Sequence, residues 1–146
     1  MGSIATLQGQ RLYLDANLFI YALEAVEPWA KPALELLSSI DRGACTAVTS
    51  ELTLAECLVK PLQLGRSDLA EVYQSVLQPR PHLFVVPVSR KVLVEAAQIR
   101  FSTRLKLPDA IHAATALSQG CASYLTNDDR FQAPPSLAVL YWRDLL

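Results

Sequence analysis

Short apolar runs alternate with amphipathic segments along the chain. Runs of apolar and β-branched residues that suit buried strands lie at 11–14, 44–49, 83–88, 122–126 and 137–141. The segments between them carry apolar residues at helical spacing, such as Ala33, Leu36, Leu37 and Ile40. Because strands and helices take turns, the pattern predicts an α/β fold with a parallel sheet.

Proline and serine residues set the expected helix boundaries. A helix that begins at Asn17 is expected to end near Glu27, because the residue before Pro28 is pushed out of helical geometry. Pro61 is expected to end the helix that follows the second strand. Three serines are expected to cap helices with their hydroxyl groups: Ser50, Ser67 and Ser89. No linker divides these elements, so residues 1–146 are predicted to form one domain.

The composition suits a sheet that helices cover on both faces. Hydrophobic residues make up 51% of the chain, and the mean hydropathy is +0.23. The same content suits an apolar surface patch for a partner, and it favours a homodimer. The formal net charge of -1 gives no overall attraction to nucleic acid, so such binding needs a local basic patch.

The cysteines and the apolar runs bear on location. Cys45, Cys57 and Cys121 lie in apolar segments without CxxC spacing, which indicates buried thiols in a cytoplasmic protein rather than a zinc site. No apolar run approaches the ~18 residues of a membrane span, so no membrane partner is expected. The stretch from Met1 to Thr6 matches the short myristoylation pattern, which many sequences match by chance.

Four acidic residues lie beside the predicted strand ends. Asp15 follows the first strand, and Asp128 follows the fourth. Asp109 is in the first turn of the helix that leads into the fourth strand, and Glu56 lies in the second turn of the helix after the second strand. Parallel α/β sheets bind ligands at the carboxyl ends of their strands. If the first and fourth strands are neighbours, all four acids converge there.

Such a cluster of carboxylates is suited to Mg²⁺ or Mn²⁺, since hard cations prefer oxygen ligands. We expect Asp15, Asp109 and Asp128 to hold the ion and Glu56 to join them in catalysis. A metal ion in this position can promote attack of water on a phosphodiester. Polar side chains at the same edge are expected to orient ligands or waters: Asn17, Ser50, Thr126 and Asn127.

Basic residues and a histidine accompany the acids. Four basic side chains are candidates for contacts with RNA phosphates: Arg100, Arg104, Lys106 and Arg130. A solvated helix end is the alternative explanation for this cluster. His112 follows Asp109 by one helical turn and could act as a general base, although a packed histidine is the simpler interpretation. Taken singly, Asp109 also suits the dipole of a helix N-terminus, and Asp128 suits a turn.

Four segments of the chain match one family in order and spacing. The chain resembles PIN-domain ribonucleases, and among them the VapC-type toxins of toxin–antitoxin pairs. The matching segments are LDANLFIYAL (Leu14 to Leu23), TSELTLAEC (Thr49 to Cys57), LPDAIHAATAL (Leu107 to Leu117) and YLTNDDRF (Tyr124 to Phe131).

The resemblance implies a PIN-like three-layer α/β/α sandwich with about five parallel strands in the order 3-2-1-4-5. It also implies a metal-dependent endoribonuclease, with an antitoxin protein as a partner and a homodimer as the assembly. By motif position, the acids of the family correspond to Asp15, Glu56, Asp109 and Asp128 of this chain. Asp129 is next to the last of these and could share its role; Asp128 is preferred because it directly follows Thr126 and Asn127.

Two other classes of function stay open. The segment Asp15-Ala16-Asn17 loosely matches the DxD start of a haloacid-dehalogenase-like phosphatase. Against this, Asn17 replaces the second acid, and Phe19 stands where that family has Thr or Ser. A non-catalytic binding module on the PIN fold is the other alternative, and the presence of all four acids disfavours it.

Overall fold

The computed structural model describes residues 4–145, so Met1 to Ser3, where the myristoylation pattern begins, and Leu146 lie outside the described part. Within residues 4–145 the chain forms five strands, six α-helices and two short 3-10 helices at Ile4–Leu7 and Trp142–Leu145. The strands are β1 (Arg11–Leu14), β2 (Thr46–Ser50), β3 (Leu83–Val86), β4 (Ser123–Thr126) and β5 (Ala138–Tyr141). The helices are α1 (Ala16–Leu23), α2 (Ala30–Asp41), α3 (Glu51–Gln63), α4 (Ser67–Val76), α5 (Arg90–Ser102) and α6 (Leu107–Ser118).

The strands form one parallel sheet in the order β3-β2-β1-β4-β5, as expected. In the register of this sheet, Tyr13 of β1 lies between Val48 of β2 and Tyr124 of β4. The first and fourth strands are therefore neighbours, and the residues that follow them lie at the same edge.

The two faces of the sheet carry separate apolar cores. On one face, Leu12 and Leu14 of β1 pack with buried side chains from α1, α2, α3 and α4. On the other face, Tyr13, Val48 and Tyr124 pack with α5 and α6. Side chains of β1 alternate between the two cores, as the two-residue period of a strand requires. The predicted three-layer α/β/α sandwich is confirmed.

The serine caps at the edge of the sheet form as predicted. The side chain of Ser50 accepts a hydrogen bond from the backbone N–H of Leu52 at 3.0 Å. The side chain of Ser89 accepts one from Val92 at 3.2 Å. Each bond satisfies a donor that the first helical turn leaves free, which fixes where α3 and α5 begin.

Three helix boundaries differ from the prediction. Helix α1 ends at Leu23, because Ala25 adopts a left-handed conformation with φ of 53° and the N–H of Val26 bonds to the carbonyl of Tyr21. Pro61 does not end α3; it lies buried in the last turn, which continues to Gln63. Ser67 is not a cap, because α4 already begins with the bond from Ala70 to the carbonyl of Arg66.

Candidate metal centre

Asp15 occupies the turn from β1 into α1, at the carboxyl edge of the sheet. Its extended backbone makes it the N-cap of α1, and its Oδ1 accepts a hydrogen bond from the N–H of Asn17 at 3.0 Å. The side chain is half-buried. The strand thus ends on a carboxylate that the helix N-terminus orients.

Asp15 lines a cavity of about 170 Å³, which we call the acid cavity. Its wall is formed by Asp15, Ala16, Asn17, Glu56, Asp109, His112 and Tyr124. Glu56 comes from α3 and Asp109 from the first turn of α6, so helices from both layers bring acids to the end of β1. The structure therefore brings three of the four predicted acids to one cavity.

Glu56 is held there by a histidine that the sequence did not assign to it. The Nε2 atom of His112 lies 2.7 Å from Oε1 of Glu56, and the Nδ1 atom of His112 lies 2.6 Å from the hydroxyl of Tyr13. His112 is only 2% exposed, so the packed interpretation of this residue is correct. The sequence places His112 one helical turn after Asp109 on the same helix, but it carries no signal for the contact with Glu56.

Asp128 borders a neighbouring cavity of about 200 Å³. The wall of that cavity is formed by Arg104, Leu105, Lys106, Asp109, Asp128 and Arg130. Asp109 borders both cavities and links Asp128 to the other acids. Oδ1 of Asp128 accepts a hydrogen bond from the N–H of Arg130 at 2.9 Å, which fixes the carboxylate in its turn.

Burial and the crowding of acids raise the pKa values of two carboxyl groups of the site, those of Asp15 and Asp109. Burial raises the pKa of Asp15 from 3.8 to about 6, while the hydrogen bond from Asn17 opposes the rise. Burial also raises the pKa of Asp109, and the charges of Asp128 and Glu56 raise it further against the opposing effect of His112. Carboxylates that crowd each other in this way favour a bound cation.

The four polar side chains that are expected to orient ligands or waters lie in different surroundings. Asn17 lines the acid cavity. The hydroxyl of Thr126 accepts a hydrogen bond from the N–H of Asp128 at 3.1 Å, and a hydrogen bond from Thr126 lowers the pKa of Asp15. The amide of Asn127 donates to the hydroxyl of Tyr21 at 3.2 Å. Ser50 is buried at its cap position and borders neither of the two cavities.

Three of the four basic candidates, Arg104, Lys106 and Arg130, are exposed at the second cavity, and we call them the basic rim. The fourth, Arg100, has a structural contact: its Nη1 donates to the carbonyl of Leu105 at 2.9 Å. The positive charges of the rim stand beside Asp109 and Asp128, which is the arrangement that a phosphate bound next to a cation requires.

The acids are suited to a cation without forming a closed cage for one. Among residues 4–145, no three His, Cys, Asp or Glu side chains are gathered closely enough to hold an ion by themselves. Mg²⁺ needs fewer protein ligands than such a cage provides, since it keeps several waters and takes one or two carboxylates. The raised pKa values of Asp15 and Asp109 and the oxygen-only donors fit such an ion.

In the described part of the chain, no helix is long and apolar enough to cross a membrane.

A search among curated proteins found no match. The PIN domain family matches residues 12–136 of the chain, which include all four acids. The PIN-domain part of the resemblance that the four segments indicate is confirmed.

Solved structures of toxin–antitoxin proteins share the fold at low sequence identity. A DNA-bound VapBC from Salmonella typhimurium is 20% identical with a TM-score of 0.68, covering 91% of this chain and 98% of that one. VapBC2 from Rickettsia felis, bound to a DNA fragment from its promoter, is 19% identical with a TM-score of 0.65, covering 90% and 98%. VapC20 of Mycobacterium tuberculosis, a toxin that cleaves the sarcin-ricin loop, is 15% identical with a TM-score of 0.67, covering 82% and 92%. Together with the match over residues 12–136, the fold and its acid-lined edge lead to one conclusion: the chain belongs to the PIN domain family.

Proposed function

We propose that this protein is an endoribonuclease that depends on Mg²⁺ or Mn²⁺ and acts as the toxin of a toxin–antitoxin pair. The observation that carries the proposal is the acid cavity, where Asp15, Glu56 and Asp109 from three different elements meet at the end of β1 in a PIN domain. The cleavage of an RNA loop by VapC20, which has the same fold, supports RNA as the substrate class.

In this proposal the cation takes its carboxylate ligands from Asp15, Asp109 and Asp128, and waters complete its coordination. When bound, the ion lowers the pKa of water and offsets negative charge on the scissile phosphate. Glu56 borders the same cavity, with 36% of its side chain exposed, so its free carboxylate oxygen is able to accept a proton from water. Asn17 and Thr126 keep Asp15 and Asp128 in place through the contacts described above.

The basic rim supplies the substrate contacts of the proposal. Arg104, Lys106 and Arg130 stand beside Asp109 and Asp128, with Arg130 paired to Asp128 at 3.5 Å, and in the proposal they bind phosphates on either side of the cleaved bond. The formal net charge of -1 gives the whole protein no attraction to RNA, so this local patch provides the positive charge that binding requires. Arg100, which is engaged with Leu105, is left out of the rim.

The proposed setting is the cytoplasm, with an antitoxin protein as partner and a homodimer as the assembly. The VapBC structures of Salmonella typhimurium and Rickettsia felis, which share the fold of this chain, support the antitoxin partner. Large apolar side chains on the surface support protein partners, because exposed apolar groups favour association. The most exposed of these are Leu62, Leu64, Val94 and Phe101.

A cleavage assay with four substrates tests the activity. The native protein would be incubated with a fluorescent RNA, DNA of the same sequence, total RNA and para-nitrophenyl phosphate, in Mn²⁺, in Mg²⁺ and in EDTA. We expect internal cuts in RNA that need the metal. Hydrolysis of para-nitrophenyl phosphate alone would identify a phosphatase, and inactivity on all four substrates would identify a binding module.

A further inference from the structure

A buried chain of hydrogen bonds leads from the sheet to Glu56. The Tyr13 hydroxyl and the His112 Nδ1 atom are 2.6 Å apart, and the His112 Nε2 atom is 2.7 Å from the Glu56 carboxylate. Tyr13 is 0% exposed and His112 is 2% exposed. The carboxylate of Glu56 therefore reaches solvent at the acid cavity, but the two residues that hold it lie inside the protein. We call this pair, His112 and Tyr13, the anchor.

The anchor is rigid because aromatic packing fixes it. The ring of Tyr13 stacks on Tyr124 with centroids 5.1 Å apart, and Tyr124 stacks on Phe131 at 4.3 Å. The ring of His112 lies against Tyr13 with centroids 5.7 Å apart. Such aromatic pairs leave little freedom to the polar atoms at their edges.

Both contacts of His112 are compatible with a proton on Nε2. A carboxylate only accepts hydrogen bonds, so Nε2 of His112 donates its proton to Glu56. The Tyr13 hydroxyl lies 2.6 Å from Nδ1, which is close enough for it to donate a hydrogen bond to that atom. One tautomer of a neutral imidazole satisfies both contacts.

The anchor connects Glu56 to the elements that carry two other acids. Tyr13 is two residues before Asp15 on β1, and His112 is three residues after Asp109 on α6. A glutamate on a solvent-facing helix has a long, flexible side chain, and holding it in one place costs conformational entropy. The bond to His112 fixes the carboxylate relative to Asp15 and Asp109 before any substrate binds.

We propose that His112 and Tyr13 are positioning residues, which hold the Glu56 carboxylate at the acid cavity for the RNA cleavage proposed above, on which this inference rests. Neither residue has to touch the substrate. Hydrogen-bond partners that orient the carboxylates of such a site typically contribute about 10- to 100-fold to activity.

The first test removes one hydroxyl. Tyr13→Phe keeps the ring and its stacking but breaks the bond to His112. We expect it to lower kcat for a fluorescent RNA in Mn²⁺ by about ten-fold and to change KM by less than about two-fold. The matched control is Tyr73→Phe, which removes another buried tyrosine hydroxyl that donates to a carboxylate, that of Glu24. This control should leave both constants within about two-fold of the native values.

The second test compares two replacements of His112. His112→Gln keeps an N–H group near the position of Nε2, whereas His112→Leu keeps only the volume. We expect the glutamine variant to retain at least about ten-fold more activity than the leucine variant at equal amounts of folded protein. Equal activities of the two variants, or equal losses in Tyr13→Phe and Tyr73→Phe, would show that these residues only stabilise the fold.

A third measurement needs no cleavage. Long-range ¹H–¹⁵N spectra distinguish histidine tautomers, and the chain has only two histidines, so His82→Gln assigns the signals of His112. We expect His112 to carry its proton on Nε2, and Tyr13→Phe and Glu56→Gln each to shift its nitrogen signals. Unshifted signals would overturn the anchor itself. Correct spectra with no cleavage of RNA by the native protein would instead overturn the proposed ribonuclease.

Discussion

Arg143 forms an ion pair with Asp129, whereas the adjacent Asp128 borders the cavity that contains Asp109. The guanidinium of Arg143 also lies over the ring of Tyr141, 4.4 Å from its centroid, so it is held outside that cavity. Both aspartates of this turn have an arginine partner, since Asp128 pairs with Arg130 at 3.5 Å, and they differ in that Asp128 alone of the two borders that cavity. This difference supports Asp128 as the acid of the site.

The two aspartates offer a direct comparison. We expect Asp128→Asn to lower RNA cleavage by at least about 100-fold, since it removes a charged metal ligand of the proposed site. Asp129→Asn should keep cleavage within about three-fold of the native rate, because Asp129 pairs with Arg143 and does not border the cavity of Asp109. Cleavage rates of both variants in saturating Mn²⁺ give the answer, and a larger loss in Asp129→Asn would reverse the assignment.

Metal binding is expected to depend on Asp109, which borders both cavities. Isothermal titration of the native protein with Mn²⁺ should show binding that Asp109→Asn weakens by at least about ten-fold. The control is Asp41→Asn, which removes a carboxylate that is paired with Arg80 on the surface. If native protein and Asp109→Asn bind Mn²⁺ equally, the acids of this edge do not form the metal site.

Asp15 is expected to destabilise the metal-free protein at neutral pH. Its pKa is about 6 in the folded state and close to 3.8 when unfolded, so the folded state binds more protons between these values. The stability of native protein in EDTA should therefore fall as the pH rises from about 4 to about 7, with Asp15 contributing on the order of 2 kcal/mol. Added Mn²⁺ should restore stability at pH 7, since only the folded state presents the site.

Asp15→Asn tests this account. Asparagine keeps an oxygen for the N–H of Asn17 and removes the charge, so the variant should be no less stable than native protein in EDTA at pH 7. The fall in stability with pH should be smaller, the gain from Mn²⁺ should disappear, and RNA cleavage should be lost. Thermal melts in EDTA and in Mn²⁺ measure the first three effects. A variant that melts well below native protein in EDTA would make Asp15 a structural cap instead.

The basic rim should act on substrate binding more than on the chemical step. Replacing Arg104 and Arg130 with alanine removes two positive charges that are exposed at the cavity of Asp109 and Asp128. We expect KM for RNA to rise by about ten-fold, and the slope of log affinity against log salt to fall by about one for each lost contact. Arg66→Ala, which removes an exposed arginine paired with Asp68, is the control and should leave both quantities unchanged.

The assembly can be tested without a substrate. Phe101 is 92% exposed at the end of α5, and Leu62 is 64% exposed on α3, so both offer apolar surface that a second copy of the chain could cover. Light scattering at roughly 50 micromolar protein should give twice the 16.1 kDa monomer mass. A mass of 16.1 kDa at that concentration would exclude the homodimer.

Local chemistry explains which parts of the fold the sequence predicts. Ser50 and Ser89 bond to N–H groups two or three residues away, so their cap positions depend on neighbours along the chain. Pro61 does not end α3, because its burial in the last turn of the helix outweighs the local preference of proline. The left-handed Ala25, which ends α1, also carries no signal, since glycine is the usual residue there.

The site was predictable only where it follows strand ends. Asp15 can be identified from the sequence because it follows the end of β1. Its proximity to Asp109 depends on β1 and β4 being neighbours, and that strand order is implied by the family resemblance. The contact between Glu56 and His112 joins residues that are 56 positions apart on helices of different layers. Periodicity within one segment contains no information on such a contact, which depends on how two layers pack at the end of a strand.

That contact has a mechanical consequence. Helices α3 and α6 cover opposite faces of the sheet, and the bond from His112 to Glu56 fastens one layer to the other beyond the end of β1. A slight outward tilt of either helix would pull Glu56 away from Asp109 while leaving every strand paired. Small opening motions of this kind cost less free energy than global unfolding. The packing of the two helical layers, in addition to the pairing of the strands, therefore keeps Glu56 next to Asp109.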